Sequence, residues 1–310
     1  MSLIVVGTVA FDSIATPSGK ADRVVGGAAS YIALAASHFV KEQELISVIG
    51  EDFPNSFLTM LESRGVGQTG LKCIQGEKSF FWEGSYHDDL IGRDTLVTEL
   101  NVLEGWEPEL PEKARGAQFV MLGNLDPTVQ LSVLNQLERR PELVVLDTMN
   151  FWMDIALDSL LKVIARVDVL MINDDEARQL SSESSLLLAA AAIHKMGPRT
   201  VVIKKGEHGA MLFEDGNCFY SPAYPLDKVV DPTGAGDTFA GGFIGHLASL
   251  GSTSWEAKKQ AIVVGSILAS FTCEAFGTER IASLKKTEWQ QRTKYLRELV
   301  RVNPVTTDEG

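Results

Sequence analysis

Two carboxylates bracket a run of very small residues in Asp231-Pro-Thr-Gly-Ala-Gly-Asp237. Gly234, Ala235 and Gly236 let the backbone approach a ligand closely, and the residues after them read as a helix. A helix entrance offers unpaired N–H groups and the positive end of the dipole, which together make an anion site. Asp237 falls in the first turn and faces the same anion. A carboxylate there repels a phosphate unless it has a task, and taking a proton from an attacking hydroxyl is such a task. Gly241, Gly242 and Gly245 follow inside the helix. Each costs about 1 kcal/mol relative to alanine, so this helix must pack very closely against something.

Other residues could serve the same chemistry. Asn173-Asp-Asp-Glu176 follows an apolar run. The pair Asn173 and Glu176 reads as a capping box. The same carboxylate suits Mg²⁺, which keeps several waters and is held through one or two carboxylates and phosphates. Lys204-Lys-Gly-Glu-His-Gly209 follows a second apolar run. A glycine turn after a parallel strand is where nucleotides bind in α/β sheets, and a plain β-turn reads from the same residues. Asp147 stands at the end of a third run, open between a site role and a helix-initiating turn.

The elements that must hold these residues are short apolar runs alternating with helical patterns. Strands are expected at 3–6, 44–49, 119–122, 143–146, 169–172, 200–203 and 210–213. Helices are expected at 28–39, 56–64, 127–138, 154–166, 175–180 and 185–196, then from Asp237 to about 250, at 255–275 and at 287–302. This alternation predicts βαβ units around a mostly parallel sheet. Residues 71–105 break the pattern, mixing aromatics, glycine and charge, and read as an antiparallel insertion.

The composition is globular, with 45% hydrophobic and 22% charged residues. A net charge of −13 argues against a nucleic-acid or anionic-membrane surface, which needs clustered Lys and Arg. Cys73, Cys218 and Cys273 form no CxxC pair and the five histidines are dispersed, so neither zinc nor a redox motif is expected. The first residues lack a basic n-region, and no apolar run reaches the roughly 20 residues of a spanning helix. A cytoplasmic protein is expected.

The heptad resembles the D-T-x-G-A-G-D signature of the ribokinase-like (PfkB) carbohydrate and nucleoside kinases, with Pro232 where the family often has Thr. The resemblance runs over nearly the whole chain. It implies one three-layer α/β/α domain over 1–302 with a small β lid from segments near 12–25 and 71–105, and a frayed tail at 303–310. It implies Asp237 as catalytic base, the Gly234, Ala235 and Gly236 amides as anion hole, and Asp231 near a monovalent-cation (K⁺) site in members that have one. Asn173 and Glu176 resemble N-x-x-E, which organises Mg²⁺ and the ATP phosphates. Lys204, Gly206 and Gly209 match the T-x-G-x-x-G nucleotide loop, with Lys in the Thr position. Asp12 matches the acid that hydrogen-bonds two acceptor hydroxyls. Gly26-Gly27-Ala-Ala-Ser-Tyr31 resembles G-G-x-x-x-N, with Tyr31 replacing the Asn that contacts the sugar.

That replacement turns the expectation toward inositol- and nucleoside-type acceptors. The implied reaction is phosphoryl transfer from ATP·Mg²⁺ to a hydroxyl of a sugar, polyol or nucleoside, with ATP on the C-terminal half. A same-fold kinase for a vitamin-type alcohol and a non-catalytic sensor are the alternatives. Expected partners are the small-molecule acceptor and ATP, with a homodimer through the lid. Asp237, beside helix-end potential, is expected to be ionised at neutral pH.

Overall fold

Alternation along the central strands builds the layers. In β1 (Leu3–Val6), Leu3 and Val5 enter one buried core while Ile4 and Val6 enter another. Successive side chains point to opposite faces of a strand, so an all-apolar run requires cover on both faces. Helices supply it. Ala28–Ala36, Ala235–Leu250 and Trp255–Thr272 pack on the first face. Leu157–Ile164 and Leu186–His194 pack on the second. The computed structural model describes residues 2–302; the expected tail at 303–310 lies outside them.

The remaining strands are β2 (Ala10–Thr16), β3 (Gly19–Gly26), β4 (Gln43–Gly50), β5 (Val66–Gly67), β6 (Leu71–Ile74), β7 (Phe81–Tyr86) and β8 (Arg93–Glu99). Then come β9 (Phe119–Leu122), β10 (Leu143–Asp147), β11 (Val169–Asn173), β12 (Thr200–Lys204), β13 (Ala210–Glu214) and β14 (Asn217–Ser221). The large sheet runs β14-β13-β12-β11-β10-β9-β1-β4-β5, and β6 also pairs with β4. It is parallel from β12 onward; β13 and β14 are antiparallel. A separate four-stranded sheet runs β3-β2-β7-β8.

Three expectations are corrected. Residues 71–74 belong to the large sheet rather than to the insertion. The small sheet is not wholly antiparallel either, because its central pair β2–β7 is parallel, with Phe11 opposite Phe81. The reason is directional: β1 and β6 both run parallel to β4, and β2 and β7 continue from them at the same end. The expected helix 154–166 divides at Ala156 into Asn150–Ile155 and Leu157–Ile164.

The glycines inside Ala235–Leu250 have their explanation here. A Cβ on Gly241 would lie 2.4 Å from Ile32 O, and one on Gly245 would lie 2.8 Å from Ala36 Cα. Helix Ala28–Ala36 therefore rests directly on this backbone. That contact delivers Tyr31 to the helix entrance. Among the described residues, no helix is long and apolar enough to cross a membrane.

Candidate active site

Three neighbouring parallel strands end in polar residues at one edge of the sheet. Asp147 closes β10, Asn173 closes β11 and Lys204 closes β12, with Asn173 paired in register to Lys204. Lys204 Nζ donates to Asp147 Oδ1 at 3.0 Å and to Oδ2 at 2.7 Å. The same amine faces the glycine-rich helix entrance, 3.1 Å from where a Cβ on Gly236 would stand. Burial pulls this amine down, but Asp147 and Glu176 more than reverse that, so it sits above the ordinary lysine value and is charged.

The entrance itself depends on Gly234, which takes φ +76° as N-cap. A side chain there would meet the Tyr31 ring at 2.3 Å, so both the backbone turn and the aromatic packing require glycine. Asp237 follows in the first turn of Ala235–Leu250. Burial and the nearby Asp147 push it up to about 7, against the pull of Lys204 and Arg93. The expectation of a carboxylate ionised throughout the neutral range is thereby corrected: desolvation outweighs the helix end.

The side formed by Asp12 and Tyr31 is equally enclosed. Asp12, on β2, is buried against Gly26, whose Cβ would stand 1.9 Å from Asp12 Oδ2. Burial, then Asp231, raises Asp12 to about 7, and the Gly27 amide opposes them. Tyr31 is fully buried, and its hydroxyl has no hydrogen-bond partner. Burial, Asp12, Asp231 and Asp237 drive it well above the usual tyrosine value. An orphaned buried hydroxyl costs roughly 1–3 kcal/mol, and a bound polar ligand would relieve that cost.

Asn173 and Glu176 form the capping box that their spacing predicts. Asn173 Oδ1 accepts from the Glu176 amide at 2.8 Å, and Glu176 Oε2 accepts from the Asn173 amide at 2.7 Å. This engages one carboxylate oxygen of Glu176. Burial lifts the group to about 7 while Lys204 pulls it down. Asp231 is fully buried, with Oδ1 accepting from Thr233 N at 2.8 Å and Oδ2 from Gly277 N at 3.4 Å. It staples the heptad loop to the segment after Trp255–Thr272.

Asp12, Tyr31, Asp231, Glu176, Lys204 and the 234–237 entrance thus meet in one place. Gly206 and Gly209 follow Lys204 in the loop after β12. Both take positive φ in the β12–β13 hairpin loop, and Gly209 packs on Ser221 to Ala223. The turn reading accounts for their geometry.

Two residues escaped the sequence reading altogether. Arg93 of β8 is exposed, yet its Nη1 donates to Tyr86 Oη at 3.3 Å, and its charge acts on Asp12, Glu176 and Asp237. Tyr86 Oη also accepts from Thr233 Oγ1 at 3.1 Å, which joins the small sheet to the heptad loop. A lone arginine in an aromatic stretch was the available signal. Asp147, left open from sequence, enters through Lys204.

Chemically, the arrangement can hold a phosphoryl group between backbone amides and two fixed cations. It can also hold a hydroxyl beside a carboxylate that titrates near neutrality. The family model for "pfkB family carbohydrate kinase" matches residues 2–285. A cytidine kinase of Thermococcus kodakarensis is 31% identical over 250 residues, 79% of this chain and 87% of that one. A nucleoside kinase of Methanocaldococcus jannaschii is 23% identical over 285 residues, 86% and 84% of the two chains. Among solved structures, the M. jannaschii nucleoside kinase superposes with TM-score 0.73 at 20% identity, covering 96% of this chain and 98% of that one. A putative ribokinase II from E. coli in complex with ATP and Mg²⁺ gives TM-score 0.76 at 18% identity, covering 96% and 99%.

Proposed function

The chain belongs to the pfkB family of carbohydrate kinases, phosphotransferases with alcohol acceptors, and from that premise we propose that it phosphorylates a nucleoside hydroxyl with ATP·Mg²⁺. The observation that carries the reading is Asp237, half-buried in the first turn behind Gly234–Gly236 with Lys204 alongside. Asp237 removes the proton from the attacking hydroxyl. The amides of Gly234, Ala235 and Gly236 receive the developing negative charge, and Lys204 adds a fixed positive charge at the same point. Phosphoryl transfer depends mainly on such positioning and charge stabilisation.

Asp147 is a positioning residue, holding the Lys204 amine against the entrance. Glu176 suits Mg²⁺ because one of its oxygens is fixed by an amide, the other is left for the ion's waters, and its burial favours a nearby cation. The ion would neutralise phosphate charge when it arrives with ATP. Asp12 accepts from the acceptor's hydroxyls, and Tyr31 supplies the donor left unpaired in its absence. The small sheet is the lid: its Tyr86–Thr233 bond brings Arg93 over the acids and excludes water. Gly206 and Gly209 shape the turn beside the nucleotide.

A nucleoside acceptor is favoured by the cytidine kinase relative and by Tyr31 in place of an amide. Asp231, with both oxygens on amides, orders the loop; a K⁺ requirement is read by cation titration. The lid edge, with Leu96 and Ile91 exposed, is where two copies would pair. An ADP-release assay against cytidine, adenosine, ribose, fructose, myo-inositol and pyridoxal tests the reading. One nucleoside with a low KM and a dead Asp237→Asn supports it; turnover only with a free sugar, polyol or pyridoxal overturns the acceptor class.

A further inference from the structure

A cavity of about 500 Å³ opens at the opposite end of β10, β11 and β12 from the acids. Its walls are the turns that enter these three strands, and they carry Arg139, Arg140, Arg166 and Arg199. The only acid among the lining residues is Asp168. Four guanidiniums against one carboxylate is a steep local excess in a chain of net charge −13. The volume lies in the range of small-ligand sites, and a concave basic surface concentrates anions.

The hydrogen bonds show which of these charges are already answered. Arg199 pairs with Asp215 and stands 3.9 Å from Glu214 Oε1, and Arg140 Nη2 pairs with Asp168 Oδ1 at 2.6 Å. Arg139 reaches only Gly116 O, and Arg166 reaches only Asn135 Oδ1 and Leu134 O. Among the described residues, neither of these two meets a carboxylate within ion-pair distance. Carbonyls at helix ends use some of their nitrogens, but a guanidinium has about five N–H donors, so each keeps donors for a ligand. Such forks match phosphate oxygens in pairs.

Asp168 links the cavity to the strands. Its amide donates to Val144 O, its Oδ2 accepts from Val144 N at 2.7 Å, and its carbonyl accepts from Thr200 N at 2.9 Å. It therefore ties the starts of β10 and β12 to its own strand, β11. The far ends of the same three strands are Asp147, Asn173 and Lys204. An anion that draws Arg140 from Asp168 disturbs the one residue that stitches all three.

We propose that this cavity is an effector site for a small phosphate-bearing anion, read at the catalytic end through β10, β11 and β12. The test titrates inorganic pyrophosphate calorimetrically into protein saturated with a non-hydrolysable ATP analogue, so that the catalytic end is already filled. One saturable event per chain is expected. It should weaken at least tenfold in Arg139→Ala/Arg166→Ala, and less in Arg139→Lys/Arg166→Lys, which keeps charge without the fork. Parallel titrations with inorganic phosphate and a nucleoside monophosphate tell free phosphate from nucleotide-borne phosphate by the tighter arm. At fixed free Mg²⁺, saturating pyrophosphate should shift turnover at least twofold in the parent and not in the double alanine variant. No saturable event, or equal affinity in a double alanine variant with a native melting profile, overturns the site. Saturable binding that leaves turnover unchanged overturns the coupling. The binding readout is independent of which acceptor the enzyme uses.

Discussion

Strand β12 carries a lysine–carboxylate partnership at each end, and the two differ in what is left over. At its start, Lys258 Nζ donates to Thr200 Oγ1 at 3.0 Å and also to Glu214, while Thr200 donates to Glu214. The Lys258 and Glu214 side chains are 5% and 7% exposed. This group is matched: Lys258 and a hydroxyl meet one Glu214 oxygen, and Arg199 stands 3.9 Å from the other. At the other end Lys204 meets Asp147 with similar geometry, but Glu176 and Asp237 draw on the same amine. Three acids share one ammonium there, and Arg93 of the small sheet is the second cation they feel. Burial alone does not mark a site; a surplus of unmatched charge does.

The largest effect that would sharpen this contrast is Asp237→Asn. General-base removal should lower kcat by roughly 10²–10⁴-fold, with KM for ATP little changed, as read in the ADP-release assay. A variant that keeps turnover removes the base assignment. The same substitution should raise the melting temperature at pH 8 but not at pH 4. A folded value raised from 3.8 to about 7 contributes stability below the unfolded range, and that contribution is lost as pH rises through 7.

Next come the two lysines. Lys204→Met should cost about 10²–10³-fold in kcat, the scale of one lost oxyanion donor, while urea unfolding still reports a folded chain. Lys258→Met should do the reverse. An uncompensated buried Glu214 should cost about 3–5 kcal/mol of stability, with kcat per folded molecule unchanged. If Lys258→Met lowered kcat per folded molecule instead, the distinction between the two ends would collapse.

Smaller effects follow. The pH profile of kcat/KM should rise through about 7 as Asp237 ionises together with Asp12 and Glu176, and its acid limb should be less steep in any residual activity of Asp237→Asn. Tyr31→Phe should raise the acceptor KM about tenfold, the scale of one lost hydrogen bond to a bound ligand. ATP KM should stay put. Equal changes in both KM values would remove Tyr31 from the acceptor side.

Much of this was legible from sequence, for identifiable reasons. β1, β9, β10, β11 and β12 read as strands because both their faces are buried, which leaves pure apolar runs. The heptad read as an anion site because its glycines have few other uses. β2, β3 and β8 were harder. β2 carries Asp12 and Ser13 inward, and every residue of β8 is exposed, so neither shows an alternation that points to a core. Their pairing is set by partners distant in the chain. Arg93 looked like a solvated surface charge for the same reason. Asp147 stayed undecided because the lysine that defines it lies 57 residues further on.

The parallel β2–β7 pair has a consequence for how the chain is made. No hairpin can nucleate it, since Phe11 waits for Phe81, and β1 waits for both Gln43 and Phe119. Pairings so distant raise contact order and slow the late steps of folding. During synthesis the N-terminal strands leave the ribosome well before their neighbours exist, so their edges need protection from wrong pairing. The Asp231–Gly277 bond closes later still. Asp12 is made well before the residues that enclose it, and a half-synthesised chain carries that carboxylate without its enclosure.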